Sequence, residues 1–202
     1  MTRTTDALRA LHPDRWQAAT RSPFLEAAGD GTLQPAVFDR WLEQDHHFVQ
    51  TLVRAWGLML QTAPPQDLSL LVGGMHAFTE ELAWFEGIAT TRRGDAGLDL
   101  TGPPLPATQA YDHALLRLAA RPYPEAVTAM WAVEATYLSA WQHIAPGHPR
   151  FTDYITHWAD EAFAAFVAEL GAVVDRELPD GPTAAAAEAF AAILDHEAAF
   201  WA

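Results

Sequence analysis

Four acids stand where helical periodicity turns them toward apolar side chains. On a wheel at about 100° per residue, Asp45 lies amid Phe38, Trp41, Leu42, Phe48, Val49, Leu52 and Trp56, while Asp39 and Glu43 point elsewhere. Glu81 lies inside the edge of the stripe formed by Leu71, Phe78, Leu82, Phe85 and Ile88, with Glu80 well outside it. Met130, Glu134, Tyr137 and Trp141 follow at spacings of four, three and four, so they share a face. Glu197 falls among Phe190, Leu194, Phe200 and Trp201. An acid on an apolar face is costly unless it is paired, hydrogen-bonded or protonated, and any one of these taken singly reads as a core acid with a partner. Four from four helices read as a site, because converging carboxylates raise one another's pKa and cluster where acid/base chemistry or a metal is used.

Carboxylates in a helical bundle first suggest a di-iron centre, which takes Glu from two helices and Glu-x-x-His from two more. Three residues after Glu134 is Tyr137, and three after Glu197 is Phe200; the one Glu-x-x-His, Glu43 to His46, starts off the apolar face. His46 and His47 are adjacent, hence about 100° apart on a helix. His12, His113 and His148 read as surface or terminal residues, and His196 lies on a different face from Glu197. We therefore expect no metal and no cofactor. Phe48, Trp84, Phe85, Tyr137, Trp141, Trp158 and Trp201 are expected in the pocket wall. Rings that stack, beside carboxylates that accept amino hydrogens, suit a small, flat, neutral or cationic nitrogen heterocycle.

The elements that position these residues are helices throughout: Ala, Leu and Glu dominate, and β-branched runs are absent. Breakers such as His12-Pro13, Pro64-Pro65 and Pro179-Asp180-Gly181-Pro182 divide the chain. The pattern predicts helices near 4–19, 22–29, 35–62, 66–92, 106–120, 122–145, 149–178 and 182–201. The expected fold class is all-α, a single-domain helical bundle of about seven or eight helices over residues 1–202, with neither a linker nor an internal repeat.

Half of the 202 residues are hydrophobic and eight are Trp, enough for one full core. Twenty-six acids against twelve Lys and Arg give a net charge of -14, which repels phosphate backbones and anionic lipid surfaces, so no nucleic-acid partner is expected. No run of roughly 18 apolar residues could span a bilayer, and "MTRTTDALRALHPD" lacks the apolar core of a signal peptide. We expect a cytoplasmic protein with no membrane partner. Zero cysteines exclude disulfides, thiolate metal sites and Cys nucleophiles together.

Three stretches, in order and at matching separations, resemble motifs of the TenA, or thiaminase II, family: "SPFLEAAGDGTL", "FDRWLEQDHHFV" and the C-terminal "DHEAAFW". The likeness covers nearly the whole chain. It implies the haem-oxygenase-like helical fold, a homo-oligomer (dimer or tetramer), and an aminopyrimidine as small-molecule substrate. Typical members carry a nucleophilic cysteine near the fifth helix. This sequence has none, and "MWAVEATYLSAW" with "ELAWFE" resembles the subclass in which a glutamate stands in its place. The resemblance thus implies Glu134 and Glu197 as catalytic acids. It implies Asp45 as the acceptor of the pyrimidine amino group and Tyr137 as the tyrosine that follows the cysteine position; with the pocket-wall reading, Phe48, Glu81, Phe85, Tyr137 and Trp158 are expected as substrate contacts. Phe48 and Trp158 stand where the family places aromatic hydroxyls. The implied activity is hydrolysis of a 4-amino-2-methylpyrimidine bearing a 5-aminomethyl or 5-(N-formylaminomethyl) group, in thiamine salvage. Two other readings stand beside it: a non-catalytic pyrimidine-binding or regulatory protein, and a carboxylate-bridged metal oxidase on the same fold.

Overall fold

The computed structural model describes residues 2–91 and 98–202. Its elements are α1 Thr4–Leu11, α2 Pro13–Thr20, α3 Pro23–Asp30, α4 Pro35–Leu60, α5 Leu68–Thr91, α6 Pro106–Ala119, α7 Tyr123–Ile144, α8 Thr152–Trp158, α9 Glu161–Glu177 and α10 Ala184–Phe200, with a 3₁₀ turn at Pro65–Asp67. Among the described residues there is no strand, so the all-α expectation holds. The end at 92 of the helix expected over 66–92, and the first part of the loop that follows, lie outside the described residues.

Among the described residues ten helices replace the seven or eight expected, because two stretches are each broken once. The stretch 4–19 divides at His12, where φ −135° and ψ 54° leave the helical region. Pro13 has no N–H to continue the ladder and instead opens α2 at its first position, where that loss costs nothing. The stretch 149–178 starts later and divides at Ala159. Asp160 then caps α9, its carboxylate accepting the Phe163 N–H at 2.6 Å. Ser22 and Thr183 cap α3 and α10 in the same way. Gly31 ends α3 at φ +82°, and a Cβ there would collide with the His148 ring.

At the centre is α7, whose face reading is almost wholly apolar because nearly every side chain from Tyr123 to Trp141 is buried. It packs against α2, α3, α4, α6, α8, α9 and α10. Trp56, Trp131 and Trp141 are fully enclosed in the core around it. Gly74 of α5 lets α4 and α9 close in, since a Cβ at that position would come within 2.8 Å of Phe166 and 2.9 Å of Trp56. Gln44, the neighbour of Asp45, is buried, and its carbonyl accepts the Leu105 N–H at 2.7 Å and the Thr108 hydroxyl at 2.8 Å. This ties the start of α6 to α4 and fixes the backbone that carries Asp45. Among the described residues no helix is long and apolar enough to cross a membrane.

Candidate active site

Between α4, α5, α7, α8 and α9 lies a cavity of about 450 Å³, within the range of roughly 300–1,000 Å³ that small-molecule sites occupy. Asp45, Phe48, Val49 and Leu52 line it from α4, Glu81 and Phe78 from α5, Val133, Glu134 and Tyr137 from α7, His157 and Trp158 from α8, and Phe163 and Phe166 from α9. The wall is mostly apolar with converging acids, and among its described residues there is no Lys or Arg.

Helical spacing explains the convergence: Glu134 and Tyr137, one turn apart on α7, face Asp45 on α4 across the cavity. The Tyr137 hydroxyl donates to Asp45 Oδ2 at 2.8 Å, while Asp45 Oδ1 is buried without a partner. Glu134 is 4% exposed, and its Oε1 is likewise buried without a partner. Glu197 accepts the Tyr111 hydroxyl on Oε1 at 2.6 Å and keeps Oε2 unpartnered. Burial pushes the Asp45 and Glu134 carboxyls well above the usual carboxylate range; at Asp45 the Tyr137 bond opposes this, and at both the neighbouring acids add to it. Burial pushes Glu197 up to about 8, although the Tyr111 bond pulls the other way. The Tyr111 and Tyr137 hydroxyls are also pushed up, by burial and by the adjacent acids, so both remain donors.

At the mouth the pattern differs. Trp158 donates its indole N–H to Glu81 Oε1 at 2.7 Å, and His157 Nε2 donates to Oε2 at 2.8 Å. The His157 ring also stacks on Trp84, with centroids 4.2 Å apart and planes 17° from parallel. Burial alone would lower the His157 pKa, but the bond to Glu81 and the charges of Glu81 and Asp160 outweigh it, so it rises.

Of the residues singled out from sequence, Asp45, Phe48, Glu81, Glu134, Tyr137 and Trp158 line one cavity. Glu197 is outside that lining, fully buried behind it and electrostatically coupled to Glu134 and Asp45. Phe85 is placed differently. It is fully buried but packs edge-on against His46 and Trp84 rather than lining the cavity. Trp84, Trp141 and Trp201 form a second layer of rings behind the wall, with Trp141 and Trp201 packed on Trp41. Periodicity reports burial, and a core buries far more surface than its cavity exposes. Trp158 loses a hydroxyl relative to the family pattern but supplies an indole donor instead.

Two residues escaped the sequence reading, Tyr111 and His157. The available signal for Tyr111 was general: a buried tyrosine needs a partner for its hydroxyl, and in an acid-rich core that partner is a carboxylate. His157 was hidden by the helix break, as discussed below. Among the described residues no group of three or more His, Asp or Glu side chains is arranged to hold a metal ion.

A helical bundle enclosing an apolar pocket with unpartnered carboxylate oxygens defines a small-molecule site equipped for proton transfer or for binding N–H groups. The chain belongs to the TENA/THI-4/PQQC family, whose model matches residues 10–202. It is 29% identical over 215 residues to a probable bifunctional TENA-E protein of Glycine max, covering 98% of this chain and 91% of that one. It superposes on a TenA homologue from Pyrococcus furiosus with a TM-score of 0.90 at 23% identity, covering 98% of both chains. A TenA-like thiaminase structure from Sulfolobus solfataricus gives 0.83 at 14% identity, covering all of this chain and 95% of the other. The haem-oxygenase-like fold expected from the motifs is the fold observed.

Proposed function

We propose that this chain serves thiamine salvage in the cytoplasm as a hydrolase of 4-amino-2-methylpyrimidines carrying a 5-aminomethyl or 5-(N-formylaminomethyl) group. In this reading Glu134 stands where typical family members have cysteine. Family membership and the full-length likeness to a TENA-E protein support the setting. The observation that carries the chemistry is the pair of unpartnered carboxylate oxygens, Asp45 Oδ1 and Glu134 Oε1, on side chains lining one cavity with Glu197 coupled behind.

Asp45, oriented by Tyr137, accepts the ring amino group, and Phe48 and Trp158 offer ring faces to the pyrimidine. For the amine, water attacks the 5-methylene carbon. The C–O bond forms as the C–N bond breaks, Glu134 takes the proton from water, and the leaving nitrogen needs no further proton when it is bound as the ammonium group, or takes one from Glu197 when it is bound as the free amine. Ammonia departs and the ring keeps a hydroxymethyl group. Tyr111 donates to Glu197 and so favours its ionised form in the free protein. The division of roles therefore belongs to a coupled pair sharing a proton, with substrate and water bringing to Glu134 the donors that the protein does not. Without a cysteine, cleavage of thiamine through a covalent adduct should be weak. A dimer or tetramer is part of the same proposal. Leu68 and Val72, one turn apart on α5 and 39% and 56% exposed, offer apolar surface for such contact.

The direct test of Glu134 is Glu134→Gln, which keeps size and most hydrogen bonding but removes the base. Turnover should fall by roughly 10²–10⁴-fold while the fold and pyrimidine binding persist. Near-normal turnover with altered stability would make Glu134 a core acid and sink the assignment.

A further inference from the structure

Glu81 is anchored in a way that the inner acids are not. Both its oxygens take a donor, from His157 and Trp158, which are consecutive residues at the end of α8. A carboxylate oxygen has two lone-pair sites, so each oxygen can still accept an N–H from a ligand in the cavity that Glu81 lines. Its partner His157 also lines the cavity, yet its side chain is 37% exposed and open to exchange protons with solvent. The charges that act on this imidazole are acidic, Glu81 from α5 and Asp160 at the start of α9; Glu80, Asp45 and Glu134 line the same cavity, and Trp84 packs against its ring. On its own helix, Asp153 stands one turn earlier.

The two substrates of the proposed function differ where this matters. A 5-aminomethyl group is a cation near neutral pH, and a 5-(N-formylaminomethyl) group is neutral. We propose that His157 is the switch by which the site tells a cationic amine from a neutral formamide. Uncharged, it leaves Glu81 a net anion that holds the ammonium group. Charged, it neutralises Glu81 and removes the preference for the cation. In either state the imidazole still donates an N–H to Glu81, so the carboxylate stays in place and its net charge is what changes. The inference rests on the aminopyrimidine reading of the cavity and adds to it a specificity residue on α8.

The sign follows from linkage: a bound cation and a protonated His157 oppose each other, so amine affinity rises as pH climbs through the histidine's titration, above the ordinary 6.5. Asp45, Glu134 and Glu197 also ionise more readily as pH rises, so the comparison must be made with and without His157. Calorimetric binding of the 5-aminomethyl and 5-(N-formylaminomethyl) 4-amino-2-methylpyrimidines is measured in the Glu134→Gln background, where ligand is not consumed, from about pH 6 to about pH 8.5. With His157 present, the amine-to-formamide affinity ratio should rise by roughly five- to tenfold more than in the same protein carrying His157→Gln, whose amide still donates to Glu81. Glu81→Gln should lower the ratio at every pH by removing the charge. An identical pH dependence with and without His157, or a ratio insensitive to Glu81→Gln, overturns the proposal while the aminopyrimidine reading stands. Failure of both ligands to bind at any pH overturns that reading and the switch with it.

Discussion

Around the inner end of the cavity, Asp45 takes the Tyr137 hydroxyl and Glu197, behind the wall, takes the Tyr111 hydroxyl, while Asp45, Glu134 and Glu197 each keep an oxygen without a partner. At the mouth, Glu81 takes one donor on each oxygen, from His157 and Trp158. The functional group is the same at both ends; the supply of donors is not. Burial with at most one donor each drives the inner acids toward their neutral forms and leaves them lone pairs to use on a ligand or a water. The acid at the mouth has a donor on each oxygen, one of them from a histidine. In the proposed reading, acid/base work belongs to the inner group and charge recognition to the outer pair.

The sharpest way to break this contrast, after the loss expected for Glu134→Gln, is Asp45→Asn. Its amide can offer one acceptor to Tyr137 or to the ring amino group but turns a donor toward the other. Pyrimidine affinity should fall roughly ten- to a hundredfold by titration calorimetry, with less effect on turnover at saturation. Unchanged affinity would mean that Asp45 meets its ligand as a neutral acid and carries no special role. A smaller effect is expected from Tyr111→Phe, which retains the ring packing against Phe48 and His196 and deletes the donor to Glu197. Because that donor lowers the Glu197 pKa, removing it raises the value above about 8. The limb of the rate profile that follows Glu197 should then move to higher pH, and turnover near neutrality should drop by roughly tenfold or less. A pH profile that does not move would show that Glu197 is not the titrating group.

The same contrast marks how far the sequence could be read. The inner acids were legible because a 3.6-residue period assigns each helical residue a direction, and Asp45 and Glu134 broke otherwise apolar faces. Partners on other helices carry no such mark. Tyr111 sits on α6, whose one acid, Asp112, bonds Thr51 of α4 and does not line the cavity. His157 was hidden by a continuous helix drawn through 149–178. The chain breaks at Ala159, so residues before and after it do not share one wheel. The Asp160-Glu161 pair opening α9 was the overlooked signal, an N-cap followed by an acid in the first turn. Phe85 shows the limit of the same signal, since its periodicity gives burial and burial does not tell cavity wall from second layer.

Metal-independent hydrolysis by the carboxylate group is tested most directly by product stoichiometry. Chelator-treated wild-type protein is incubated with 5-aminomethyl-4-amino-2-methylpyrimidine, and released ammonia is counted against the hydroxymethylpyrimidine formed. The account predicts one of each per substrate consumed, at a rate unchanged by the chelator. Tight binding with no ammonia released would instead identify a pyrimidine-binding protein, and activity lost to the chelator and restored by iron or manganese would identify a metal enzyme; either result would contradict the account.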